Sequence, residues 1–174
     1  MCIPAGFLRA GDLCSQPVMN TMLALYRRLS RYPAGRWLFT RAVCLRAPYF
    51  GSIHPRFDRL EPGLAEAHIT RRRSVQNHIG TIHAIALCNL AELVAGVGIE
   101  ATITPDRRWI PKGMQVHYLA KCRLAAHARA RINLPAEIGA GMDCIVPVEI
   151  FDQDGIKVAH ADINMWVTPR GSNQ

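Results

Sequence analysis

Glu92 is the residue whose setting first raises a chemical question. From Gly80 to Val97 the chain is almost wholly apolar, and Thr81, His83, Asn89 and Glu92 are the only polar side chains in that run. A carboxylate in such surroundings is costly unless it is paired or put to use. The uses open to it are those of a general base or a nucleophile. Asn77 lies just upstream and can cap the start of a helix. His83 carries an imidazole that can hold a loop by a ring hydrogen bond or join the chemistry. Asn89 stands three residues before Glu92, where it can orient that carboxylate or satisfy a neighbouring carbonyl. Cys88 sits among Leu and Ala, which argues against a nucleophilic thiolate.

These residues need an element to hold them. A helix that is apolar on every face is a buried helix, and the pattern predicts one from Gly80 to Val97 with an irregular lead-in over residues 74–79. It is too short, and too interrupted by its carboxylate, to read as a membrane span. Ahead of it, residues 17–32 have the period of an amphipathic helix, with Met22, Leu23, Leu25, Tyr26 and Leu29 against Arg27, Arg28 and Arg31. Pro33-Ala34-Gly35 stops that helix, and Arg36 to Arg46 reads as a second one. This pair can pack on the domain, act as a lid or dimer arm, or lie on a membrane surface.

After Ala47 the period changes to two. Strands are predicted at 52–60 and 64–70 around a Glu61-Pro62-Gly63 turn, at 99–104, at 114–122, at 124–134 and at 144–151. Asp152-Gln153-Asp154-Gly155 then turns the chain into a last strand at 156–167. Residues 1–15 and the polar tail from Thr168 carry no pattern. The expected fold is α+β, a long central helix wrapped by a curved antiparallel sheet. Its parts are an N-terminal helical extension (1–46), the main domain (47–168) and a tail (169–174).

The chain has 174 residues, a hydrophobic content of 49% and a formal net charge of +8. Its mean hydropathy is +0.04. Those values fit one globular domain with a real core and exclude a disordered chain. The positive charge suits a nucleic acid, an anionic membrane face or a phosphate-bearing small molecule. No nucleic-acid motif or aromatic-basic platform accompanies it. The six cysteines form no C-x-x-C pair, and no His/Cys cluster has the spacing of a zinc site, so no metal is expected. Free thiols and the lack of a signal-like segment lead to an expectation of a cytoplasmic protein.

The order of elements resembles the hotdog fold, and the run from Asn77 narrows the resemblance. Hotdog acyl-CoA thioesterases of the phenylacetate and 4-hydroxybenzoyl-CoA type carry an Asn or Gln, a Gly three residues on and a His three later. A Gly-Gly follows, then Leu-Ala-Asp/Glu. Asn77, Gly80, His83 and Leu90-Ala91-Glu92 fall at those offsets. Within that superfamily the chain is most similar to the bacterial DUF4442-type group, which shares an NHIGTIHAIA-CNLAE core and a WIPKGM segment, here Asn77–Glu92 and Trp109–Met114. The one departure is Ala84-Ile85 in place of Gly-Gly. An Ala keeps the backbone N–H, whereas Ile85 adds bulk near the ligand.

The resemblance implies an acyl-CoA thioesterase that uses no resident cofactor, the coenzyme A thioester being its substrate. Glu92 would be the base or nucleophile, the Ala84 amide the oxyanion donor, and Asn77 a hold on the carbonyl or the attacking water, with His83 beside them. Gly80, Asn89, Trp109 and Tyr118 would lie near the substrate. Arg73 and Lys112, among the basic residues flanking the motif, would meet its phosphates. Ala84 and Glu92 are eight residues apart, roughly 12 Å along one helix. One thioester does not bridge that span, so the resemblance points to a site shared across a homodimer, alone or in a dimer of dimers. The rivals are a non-catalytic acyl-CoA-binding module and a hotdog dehydratase or hydratase. The His-Phe-Pro segment of the latter is missing here.

Overall fold

Phe57 and Leu60 show how the sheet is anchored. Both are fully buried, with two outward residues between them instead of one. A β-bulge between Phe57 and Arg59 absorbs the extra residue, so Asp58 and Arg59 both face away from the core. The computed structural model describes residues 20–171. Its strands are β1 (Arg56–Glu61), β2 (Leu64–Thr70), β3 (Arg107–Tyr118), β4 (Ala125–Arg131), β5 (Met142–Asp152) and β6 (Lys157–Pro169). They form one antiparallel sheet in the order β1-β2-β4-β5-β6-β3. Helix α3 (Ala84–Thr102) packs against it as the central helix of a hotdog fold.

Close packing of α3 depends on small residues. A Cβ on Gly98 would lie 2.6 Å from the Ile132 side chain and 3.0 Å from Ala65 Cβ, so the helix can approach the sheet only without one. The far end of α3 is tied by Thr102, whose hydroxyl donates to the Gly98 carbonyl at 2.6 Å and accepts from Gly63 N–H at 3.0 Å.

The N-terminal helices α1 (Thr21–Leu29) and α2 (Gly35–Arg46) pack onto this domain. Asn20 Oδ1 caps α1 by accepting from Met22 N–H at 2.9 Å. Tyr26, Phe39 and Phe57 then form an edge-to-face ladder, with centroids 5.0 and 5.4 Å apart, that joins α1, α2 and β1. The helical pair thus packs on the domain, while Trp37, Leu38 and Leu45 of α2 stay exposed. Gly35 makes the corner, because a Cβ there would lie 1.6 Å from the Leu29 carbonyl oxygen.

Several expected boundaries move. Residues Pro48–Ile53 form a 3-10 helix, so β1 starts at Arg56 rather than at residue 52. The central helix begins at Ala84 rather than Gly80 and runs to Thr102, which removes the strand expected at 99–104. Ile99, Ala101 and Ile103 do alternate, and all three are buried. The half-buried Glu100 and Thr102 lie between them, so burial alternates here as it would in a strand, and the period alone could not tell the helix end from one. At 19 residues α3 is also long and apolar enough to cross a membrane, contrary to the sequence reading. Here 72% of its apolar window is buried inside the fold.

Strand β3 begins seven residues before the expected position 114 and ends at Tyr118 rather than 122. It takes in Pro111 at a register shift between Pro111 and Gly113, which an edge strand tolerates. Strand β4 covers only 125–131 of the expected 124–134, and β6 continues to Pro169. The lead-in over residues 1–15 lies outside the described residues.

Candidate active site

The approach to α3 is a tight loop built on Asn77. Its Oδ1 accepts from the N–H groups of Ile79 (3.1 Å) and Thr81 (3.0 Å), and its Nδ2 donates to Thr81 Oγ1 (2.8 Å). Gly80 supplies the turn at φ +78°, a conformation that favours glycine. The backbone bonds Asn77 N–H to Thr81 O and Ile82 N–H to Cys122 O close the loop and tie it to the β3–β4 connection. Asn77 is thus an organiser of the loop itself, set before the helix start rather than capping it.

The cap is His83. Its Nδ1 accepts from Ile85 N–H at 3.0 Å, and its carbonyl takes the amides of Ala86 and Leu87. Of the first four amides of α3, that of Ala84 alone has no hydrogen-bond partner among the described residues. It is half-buried and sits at the positive end of the helix dipole. This is the donor that the sequence assigned to an oxyanion, left unclaimed by the fold.

Glu92 is not enclosed as expected. It is half-buried, on a helix stripe with Ala84 and Cys88 that the sheet covers only in part. Among the described residues it makes no hydrogen bond or ion pair, so neither Asn89 nor the backbone holds it. It opens on a cavity of about 500 Å³ whose apolar wall includes Met22, Val43, Phe50 and Trp109 and whose rim carries Arg46 and Arg108. Trp109 lies over Gly96, where a Cβ would meet the ring at 3.0 Å, and its Nε1 donates to Glu100 Oε2 at 2.7 Å. Trp109 therefore shares the cavity with Glu92.

Other expected residues fall differently. Asn89 is buried and turns away from Glu92, its Nδ2 donating to Ser52 Oγ at 3.4 Å while its Oδ1 has no partner among the described residues. Tyr118 is half-exposed, with its hydroxyl 2.9 Å from Cys88 Sγ. Burial, and then the neighbouring Cys88, push the Tyr118 hydroxyl up to about 12, so it stays protonated. Burial pushes the thiols of Cys44, Cys122 and Cys144 up as well, and these three and Cys88 are all free.

The basic residues sort into two groups. Lys112, midway along β3, pairs with Asp143 at 2.9 Å and lies over the Trp166 ring. Arg73 is exposed in a short 3-10 turn. A separate groove of about 510 Å³ gathers Arg71, Lys121 and Arg123 against Gly80 and Thr81. Arg71 Nη1 donates to the Gly80 carbonyl at 3.3 Å. Arg123 was not singled out by sequence. No sequence signal marked it, because the loop's bond to the Cys122 carbonyl next to it forms only in the fold.

A family model described as "Domain of unknown function (DUF4442)" matches residues 35–167. A crystal structure from a structural-genomics programme is 42% identical over 87% of this chain and 98% of its own, with a TM-score of 0.73. A Pseudomonas aeruginosa protein described as a probable thioesterase is 23% identical over 71% of this chain and 88% of its own, with a TM-score of 0.66. A Staphylococcus aureus thioesterase, solved with a Gln-to-Ala change, is 15% identical over 70% of this chain and 98% of its own, with a TM-score of 0.60. The same protein was also solved with a Glu-to-Ala change. No curated protein matches the sequence. The fold shared with the thioesterases is the hotdog fold.

Proposed function

The chain belongs to the DUF4442 family, and from that premise we propose that it hydrolyses acyl-CoA thioesters at a site shared by two subunits. The observation that carries the reading is the pairing, on one partly open helix stripe, of an unclaimed amide at Ala84 and an unpartnered carboxylate at Glu92. The Ala84 N–H donates to the thioester carbonyl and stabilises the charge that develops on it. Glu92 takes a proton from the attacking water and passes it to the coenzyme A thiolate as the C–S bond breaks. Alternatively it attacks the carbonyl itself and expels the thiolate, leaving an anhydride that water then hydrolyses to the free acid, with release of the proton that the thiolate takes up. Asn77 and His83 act by fixing the loop and the cap that aim the amide. In the Staphylococcus aureus protein the two replaced residues are numbered 15 apart, the same separation as Asn77 and Glu92 here.

Two features support the shared site. Ala84 and Glu92 are roughly 12 Å apart along α3. Strand β3 is an open edge of 12 residues, with Ile110, Met114 and Tyr118 exposed along it and Ile79 and Ile85 exposed at the helix start. A long edge with apolar neighbours, interrupted only at the Pro111 register shift, is a surface for a second copy. For the coenzyme A phosphates the groove of Arg71, Lys121 and Arg123 suits better than Arg73 or Lys112, because it adjoins the loop before Ala84. The acyl group takes the cavity beside Trp109. The free thiols fit a reducing, cytoplasmic setting.

The test is release of free thiol across a chain-length series of acyl-CoAs. Glu92→Gln keeps the shape and has no partner to lose, so the variant should fold and lose about 10²–10⁴-fold in kcat. Undiminished turnover in the variant would remove Glu92 from the mechanism. Absence of wild-type turnover on every chain length, with binding retained, would instead favour a non-catalytic acyl-CoA module, a reading that the exposed bulk of Ile85 supports.

A further inference from the structure

We propose that Asp58, His68 and His127 form a binding site for a borderline divalent cation of the zinc, cobalt or nickel kind. The site lies on the sheet face turned away from α3 and is independent of the thioesterase reading. Sequence spacing could not show it, because its three members come from β1, β2 and β4.

The sheet register builds the cluster. His68 and His127 are directly opposed across the β2–β4 pair. Their rings lie 5.3 Å apart, centroid to centroid. The flanking residues Ala67 and Ala128 are buried, which fixes both histidines on the outward face. Asp58 reaches the same face through the β1 bulge, and its Oδ2 sits 2.7 Å from His68 Nδ1. One ligand atom from each of the three residues lies within 4.8 Å of the others.

The chemistry matches a cation of this class. Two imidazoles and one carboxylate are the donor set that zinc and its neighbours favour, with bonds of about 2.0–2.2 Å. In a tetrahedral site such bonds set ligand atoms roughly 3.3–3.6 Å apart around the ion. Asp58 and His68, now 2.7 Å apart, part by roughly 0.6–0.9 Å, and the exposed His127 ring, whose ligand atom lies within 4.8 Å of theirs, moves in to complete the set. Binding requires the ring nitrogen of each histidine that faces the ion to carry no proton, and leaves the remaining positions to water. The cluster lines an open cavity of about 350 Å³, which admits a hydrated ion. Of the neighbouring charges, Arg129 is held by Glu66 at 2.5 Å, and Arg56 is exposed opposite His68.

Cobalt titration of the full chain, followed by calorimetry and visible absorbance, tests the site. The expected result is one Co²⁺ per chain with weak ligand-field bands and no thiolate charge-transfer band, which separates it from the cysteines. His127→Ala removes an exposed ring and should weaken binding by at least about tenfold. Asp58→Asn keeps an oxygen for His68 and should weaken binding similarly, while Glu92→Gln should bind as the wild type does. The proposal fails if millimolar Co²⁺ does not bind. It fails equally if binding survives His127→Ala, or if the bound ion shows a thiolate band.

Discussion

Asn77 commits both ends of its amide to three bonds inside one short loop, to Ile79 N–H, Thr81 N–H and Thr81 Oγ1. Replacing it with Ala removes all three. The loop is only partly buried, so the expected loss is about 1–2 kcal/mol rather than the full sum. For a chain of this size that lowers Tm by roughly 3–6 °C. Turnover should fall as well, because the loop aims the Ala84 amide. Asn77→Asp keeps both acceptor bonds and loses one donor, and should fall between Ala and wild type in a thermal melt. An Ala variant with unchanged Tm and rate would show that the loop stands without it. At this scale the sequence could single out Asn77, His83 and Glu92, since residue type and spacing are all that a motif contains. Their surroundings were not legible. An apolar run says that a helix is buried, but not that its stripe through Ala84, Cys88 and Glu92 is left partly open by the sheet.

The buried helix itself was the most legible element, because nineteen residues with few polar interruptions leave little choice. Its ends were less so. The start depends on His83 acting as cap, which residue preferences do not suggest, and the end depends on what β2 and the β1–β2 turn place around Thr102. Its fit to the sheet rests on Gly98. In an exposed helix, Gly→Ala gains about 1 kcal/mol. Here the new methyl would meet Ile132 at 2.6 Å and Ala65 at 3.0 Å, and Ala65 belongs to the sheet backbone layer. Ile132 can turn, but Ala65 cannot, so α3 must lift from β2. Gly98→Ala is expected to destabilise by about 1–3 kcal/mol, read as a lowered denaturation midpoint with unchanged slope. A stabilised variant would mean that the helix–sheet spacing is looser than these contacts indicate. Pairing across strands, as in His68 opposite His127, was also beyond the sequence, since register is set by the whole sheet.

For the molecule as a whole the open question is whether one α3 serves one site or two. Ala84 is the first residue of the helix, where a proline is accommodated, and His83 before it already has the extended backbone (φ −66°, ψ 140°) that a following proline requires. Ala84→Pro therefore deletes the unclaimed N–H while leaving the helix in place. On its own it should fold and lose most activity, as Glu92→Gln does. If the site is shared, a mixed dimer of the two variants regains one intact pair, with the amide from one chain and the carboxylate from the other. Co-expressed at equal levels, half of the dimers are mixed and each holds one working site of two, so roughly a quarter of wild-type activity should return. If both groups act from the same chain, every chain in the mixture stays defective and nothing returns. The comparison reads geometry rather than stability, because both parents and the mixture carry the same substitutions. Disrupting the exposed edge with Met114→Arg should abolish the recovered fraction, tying the shared site to β3.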